Sequence, residues 1–207
     1  MPLQNRVDPF GELIATPARG LFLGNRGGRF HRDDRTLSKR RWASRQWICC
    51  VLRFKGRHHD VWGRGYTALF FLDEVTALTA GHRPCFECRR ADAHAFANAW
   101  AMAKRSDVPH APEMDLVLAP ERLDGRLKRR HELAIDDLPD GAFVTLKSAP
   151  QIAYAVRGSH LLRWSAAGYL EKVSRPRRAN VDVLTPPSIV GVLAAGFPPQ
   201  WHPSAEL

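Results

Sequence analysis

The residues best equipped for chemistry in this 207-residue chain lie in Ala80-Gly81-His82-Arg83-Pro84-Cys85-Phe86-Glu87-Cys88-Arg89-Arg90. Two cysteines at this spacing can present their thiolates to one metal ion from a single tight turn. The same spacing also serves a dithiol redox pair. In the thioredoxin type of redox motif the pair opens a helix after a strand, whereas here a helix-ending Gly and an Arg-Pro precede it. A metal held by Cys85 and Cys88 needs two more ligands. The remaining thiols, Cys49 and Cys50, are neighbours in Trp47-Ile48-Cys49-Cys50-Val51, a run that reads as a strand. Successive strand residues face opposite sides of a sheet, so one is a ligand and the other a packing residue. Cys50 shares its face with Ile48, Leu52 and Phe54 and is preferred; Cys49, beside Trp47 and Val51, is the alternate. A histidine would complete a tetrahedral set, with His31, His58, His59 and His82 as candidates.

The elements that must position these groups follow from local chemistry. Asp73 can cap a short helix over 74–80, which Gly81 ends and Pro84 prevents from continuing. A second helix is expected over 91–104, with Ala93, Phe96, Ala97 and Trp100 on one apolar face. Upstream, strands are expected at 21–25, 47–54 and 66–72, joined by a basic loop over 26–45 and preceded by an irregular arm, 1–18. Downstream, Pro109, Pro112 and Pro120 should break any long element in 106–130. Short antiparallel strands follow at 142–146, 152–156 and 161–164, then a strand at 181–184 and a helix at 187–195. The motif Leu-Ala-Ala-Gly-Phe-Pro in 193–198 echoes the first helix end, as shared helix-stop chemistry rather than a repeat. The expected fold is α+β. A small zinc-stabilised strand–helix module spans 19–105, a connecting region 106–137, and a small β-rich region with a C-terminal helix 138–207.

Charge is concentrated. From Arg19 to Arg64 there are thirteen Arg or Lys residues against Asp33, Asp34 and Asp60, an excess equal to the +10 of the whole chain. Such a stretch attracts polyanions, nucleic acid above all, through counterion release. The first sixteen residues carry no basic stretch followed by an apolar run, and no apolar segment approaches the ~18–20 residues that span a bilayer. A reducing cytoplasm, with nucleoid association open, is the expected setting. The four cysteines are then thiols or metal ligands rather than a disulfide framework.

The segment Phe70-Phe-Leu-Asp-Glu-Val-Thr-Ala-Leu-Thr-Ala-Gly-His-Arg-Pro-Cys-Phe-Glu-Cys-Arg89 resembles the zinc-binding module of Ada-type DNA methyl-phosphotriester repair proteins. It also resembles a related small metal-binding domain appended to some bacterial nucleases, which opens with a Gly-Asn turn and a Phe-His. Gly24-Asn25 and Phe30-His31 match that opening, so the resemblance implies His31 as the fourth ligand. It covers residues 21–90 and none of the remainder. The cysteine that follows Phe-His in that family has no counterpart here, Arg35 lying near its place, and the Ada-type Cys-x-x-x-Cys is absent.

The expected function is therefore that of a Zn²⁺-containing nucleic-acid-binding protein, with DNA expected ahead of RNA, in repair or processing. Its metal ligands would be His31, Cys50, Cys85 and Cys88. Phosphate contacts would come from Arg26, Arg29, Arg32, Lys39, Arg40, Arg41, Arg45, Arg89 and Arg90, with Trp42 and Trp47 available for stacking. Arg83, Arg89 and Arg90 would offset the negative charge of the thiolates. A filled His-Cys₃ set leaves no position for an activated water, so multiple turnover at the metal is not expected. The resemblance also admits stoichiometric methyl transfer to a zinc-bound thiolate, with Cys49 or Cys50 as acceptor. A metal-dependent nuclease or hydrolase built on His58, His59, Asp60, His131 and Glu132 is another alternative. In a third, residues 138–200 contact a protein partner.

Overall fold

The computed structural model of the chain describes residues 1–56 and 60–206. Among them are four helices and three sheets, an α+β architecture. The first sheet is built from β1 (Gln4–Val7), β2 (Leu13–Ala15), β3 (Phe22–Arg26), β4 (Trp47–Val51), β5 (Leu69–Phe71) and β6 (Arg83–Pro84), in the order β2-β1-β5-β3-β4-β6. A two-stranded hairpin follows, β7 (Leu123–Asp124) with β8 (Leu127–Lys128). The second sheet holds β9 (His131–Ala134), β10 (Phe143–Leu146), β11 (Ala149–Arg157), β12 (His160–Ser165), β13 (Gly168–Ser174) and β14 (Asn180–Val183), ordered β13-β12-β11-β10-β14-β9. The helices are α1 (Glu74–Thr79), α2 (Arg90–Lys104), α3 (Ala111–Arg122) and α4 (Pro187–Ala194). No described helix is long and apolar enough to cross a membrane.

The N-terminal residues are not an irregular arm. β1 pairs antiparallel with β2 and parallel with β5, and Val7 and Leu13 join Phe22, Leu69 and Phe71 in one core. These strands are too short to show an alternating pattern, and the one that β1 joins is remote in sequence, Arg6 lying opposite Phe70. The expectation of no long element in 106–130 is also corrected by α3. Pro112 sits in its first turn, where a backbone N–H has no helical partner to lose. The Glu113 carboxylate closes that turn by accepting from the His110 amide at 2.6 Å. Pro120 falls near the other end, where it would deprive only the carbonyl of exposed Leu116.

α1 is six residues long, and both its ends are fixed by specific bonds. The Asp73 carboxylate accepts from the Thr76 amide at 2.8 Å. At the other end the His82 amide donates to Ala77 O at 2.9 Å and the Gly81 amide to Leu78 O at 2.8 Å. Gly81 turns the chain at φ +87°, and a Cβ there would meet Arg122 Cγ at 2.6 Å. α4 ends with the same paired bonds, Phe197 to Val192 and Gly196 to Leu193, so the sequence echo is shared helix-end chemistry.

Several cores tie distant stretches together. Phe96 and Trp100 of α2 pack with Met114 and Leu118 of α3 and with Ile189 and Val192 of α4. Leu72 and Val75 pack with Phe143, Tyr169 and Leu184. Buried Asp73 accepts from Tyr169 Oη at 2.8 Å and from the His202 amide at 3.1 Å. Glu74 accepts from the Gln200 amide at 2.9 Å. The helix that precedes the Cys-x-x-Cys is thereby anchored to the C-terminal sheet.

Candidate metal centre and basic face

β4 is the strand from which the centre is built. It pairs with β3 on one side, Cys49 opposite Gly24 and Cys50 opposite Leu23. On the other side it pairs in parallel with β6, Cys49 opposite Pro84, and the Cys85 amide donates to Cys49 O at 3.0 Å. That bond sets the Cys-x-x-Cys turn beside β4. Gly24 is required for the close approach, since a Cβ would lie 2.3 Å from Ile48 O and 2.7 Å from Phe71 Cε2. The pleat then sends the two adjacent cysteines to opposite faces.

Cys50 faces the turn. The ligand atoms of Cys50, Cys85 and Cys88 all lie within 4.8 Å of one another, and this cluster can hold a metal ion. Cys50 is 9% exposed and Cys85 8%, inside an apolar shell of Leu23, Trp62 and Ala68, with Tyr66 against its edge. The Glu87 amide donates to Cys85 Sγ at 3.4 Å, a bond that favours the thiolate. α2 begins directly after the turn, and a helix N-terminus favours negative sulfur in the same way. Hydrogen bonds from the Cys50 and then the Cys88 thiol hold the Cys85 thiol well below its ordinary range, and the same sharing pushes Cys50 far up. One thiolate is thus stabilised by two neighbouring thiols. Full ionisation of all three requires a cation, so metal binding releases protons. The donor set suits a thiophilic metal ion.

Cys49 lies on the other face, fully buried among Phe22, Leu69 and Phe71. Arg89 donates to its sulfur at 3.5 Å, yet burial pushes its thiol well up, with the Glu74 charge adding to that.

His31 is not part of the cluster. Its Nδ1 lies 2.8 Å from Thr67 Oγ1 and its Nε2 3.0 Å from Gly63 O. The carbonyl can only accept, so Nε2 carries the proton and Nδ1 accepts from the threonine hydroxyl, leaving no free lone pair for a metal. The ring also stacks on Trp62, with centroids 5.4 Å apart and planes at 8°. His82 packs between Trp47 and Phe71, buried and held neutral by desolvation. His58 and His59 lie outside the described residues. Among the described ones, the three cysteines are the only such group of ligand-type side chains. Asp60 is exposed, 3.9 Å from Arg35. Glu132 bonds Lys147 at 2.6 Å and Asn180 at 2.9 Å, and its strand neighbour His131 faces the other side of β9.

The basic residues divide by burial. Arg26 and Arg89 cannot reach a phosphate. Arg26, 2% exposed, donates to Gly11 O at 2.8 Å and stacks over Trp47 at 4.0 Å; burial, with Arg122 nearby, pushes it down to about 9. Arg89 is locked between Glu74 and Asp92, each at 2.8 Å. Arg83 forms a buried two-bond pair with Asp115 at 3.1 and 2.8 Å. Neither Arg83 nor Arg89 is free to offset the thiolates, and of the three arginines only Arg90 is exposed. Arg29, Arg32, Lys39, Arg40 and Arg45 are exposed and Arg41 is half-buried. Arg29 pairs with Asp33, and Arg32 reaches Thr36 Oγ1 at 3.4 Å.

The segment carrying Lys39–Arg45 has no helix or strand but is tied to β3. The Ser38 amide donates to Phe30 O at 3.0 Å, and the Ala43 and Ser44 amides to Arg26 O at 2.8 and 3.2 Å. Arg122 adds a bond to Arg45 O at 2.6 Å. Trp47 is buried between the guanidinium groups of Arg26 and Arg122, at 4.0 and 4.7 Å, so it is not available for stacking. Trp42 is 36% exposed and is available. Sequence reasoning missed the far wall of this region. Gly125, Arg126 and Leu127 of the β7–β8 turn join Lys39, Arg40, Arg41 and Trp42 around a cavity of about 770 Å³. Asp124-Gly125 is a recognisable turn signal, but nothing local says what it faces.

The arrangement defines an α+β protein with a three-thiol cluster able to take a metal and a separate basic cleft. Compared with protein-family models, with curated proteins and with solved structures, the chain matches none.

Proposed function

We propose that this chain is a nucleic-acid-binding protein stabilised by a structural zinc ion, acting on DNA ahead of RNA. The observation that carries the reading is one of placement. β4 carries Cys50 of the cluster, and its partner β3 ends at Arg26, whose carbonyl ties down the segment bearing exposed Lys39, Arg40 and Trp42. The zinc role follows from three thiolate donors in an apolar shell, the surroundings of ions that fasten loops to sheets. The nucleic-acid role follows from a cationic, partly aromatic surface held rigid by backbone bonds. The Ada-type resemblance supports DNA as the partner, while the absence of its Cys-x-x-x-Cys leaves methyl transfer without support.

The test is binding of labelled DNA and RNA by the metal-replete protein as salt is raised. Retention should fall with log salt, and the Lys39→Glu/Arg40→Glu/Arg41→Glu variant should lose the interaction. Its salt slope should be shallower by about 0.7–0.9 per lost phosphate contact. Equal, salt-insensitive behaviour of the two proteins would show that the run is merely solvated.

A further inference from the structure

We infer that the cleft between Trp42 and the β7–β8 turn is a seat for unstacked bases of single-stranded DNA. This rests on the nucleic-acid reading above and names the form of the partner. The cavity, about 770 Å³, has a volume suited to a small organic ligand. Its walls differ in a way that fits one occupant. Trp42 offers an aromatic face and Leu127, 73% exposed, an apolar one, while Lys39, Arg40, Arg41 and Arg126 line it with positive charge. A base between apolar surfaces with its phosphate among cations satisfies both halves. Glu12 also lines the cavity and supplies an acceptor for a base N–H, such as the ring N3–H of thymine.

The cleft continues beyond Trp42. A second cavity of about 250 Å³ shares Trp42 and Gly125 with the first and is lined by Arg45 and Arg122. Arg122 is 1% exposed, and its Nη2 has an ion pair with Asp115 at 3.6 Å but no hydrogen-bond partner among the described residues. Exposed Arg45, on the rim of this second cavity, is the cation that can meet the flanking phosphate, while Arg122 is spent on Asp115 and on the ring of Trp47. Gly125 turns the chain at φ +60°, a conformation that favours glycine, and the turn it makes carries Arg126 and Leu127 of the cavity lining. Bases in a duplex are already stacked and cannot present a face to Trp42, so a single strand is the form that fits.

The experiment compares a single-stranded twelve-nucleotide thymidine oligomer with a duplex of equal length, using the full chain and its variants Trp42→Ala, Trp42→Phe and Leu127→Asp. The wild type should prefer the single strand. Trp42→Ala should weaken single-strand binding roughly ten- to a hundredfold, leave duplex binding little changed and keep the salt slope. Trp42→Phe should retain most of the affinity, and Leu127→Asp, at an exposed turn, should lose it without altering the melting temperature. Single-strand binding unchanged in both Trp42→Ala and Leu127→Asp, beside a wild type that still binds salt-sensitively, would overturn the cleft and spare the parent reading. A wild type that binds neither form at low salt would sink both.

Discussion

Cys49 and Cys50 are chemically identical and adjacent, yet β4 sends one into an apolar core and the other to the sulfur cluster. Their substitutions should therefore diverge. Cys50→Ser, Cys85→Ser and Cys88→Ser should each reduce bound zinc from one per chain to near zero. Cys49→Ser should keep the metal but lose about 1–3 kcal/mol of stability, because its hydroxyl enters a site built for sulfur. Elemental analysis with thermal melting reads both outcomes; a Cys49→Ser protein without metal would reverse the assignment. His31 gives a second contrast. With both ring nitrogens bonded to Thr67 and Gly63, His31→Ala should bind zinc as the parent does and melt lower by an amount equivalent to about 1–3 kcal/mol. Loss of metal in that variant would restore it as a ligand.

At the scale of elements, α1 acts as a coupling between the two larger sheets. Its cap, Asp73, also accepts from Tyr169 and the backbone of His202. Asp73→Ala removes a helix cap and takes the acceptor from the Thr76 and Tyr169 hydroxyls and the His202 amide, so a loss of about 3 kcal/mol is expected. Denaturant unfolding would measure it, and a change below ~0.5 kcal/mol would mean that the network is not a coupling. The β7–β8 hairpin carries a different signature. Lys128 donates to Thr79 O, and burial, together with Arg26 and Arg122, pushes its ammonium down to about 7. A base whose folded pKa is depressed holds fewer protons folded than unfolded between pH 7 and its free value of 10.5. Stability should accordingly rise as pH climbs from about 7 to 10.5, with a slope limited to about 1.4 kcal/mol per pH unit, and level off below 7 where both states carry the proton. Lys128→Met should flatten that slope, and a melting series from pH 6 to 10 checks it.

For the whole molecule, the cluster and the cleft occupy opposite ends of one short stretch of sheet. Metal binding energy at such a centre is partly folding energy. Chelation should lower the melting temperature and, because β4 is shared, weaken the proposed DNA retention in parallel with the unfolding of the first sheet. Titrating zinc back should restore both with the same midpoint. DNA binding that is fully preserved in the chelated protein, under conditions where melting has shifted, would separate the two functions.

What the sequence determined by itself is chemistry of short range. The Asp73 cap, the Gly81 stop, the Cys-x-x-Cys turn, the alternation that sends Cys49 and Cys50 apart and the α+β class all depend on residues within a few positions of one another. Strands over 47–51, 69–71 and 143–146 carried enough β-branched and aromatic residues to be seen. The N-terminal β1–β2 pair and α3 were not legible, one because its partner β5 is remote, the other because a proline's effect depends on its position within a turn. Tertiary structure alone decided which basic residues are reachable. Arg26 and Arg89 have the same side chain as Arg40, but the first two are buried against Trp47 and Glu74 while Arg40 faces a cavity. It also decided against His31 and brought the β7–β8 turn across from Trp42. Charge and spacing along a chain say which groups exist; burial and the partners that fill their hydrogen bonds say which of them remain able to act.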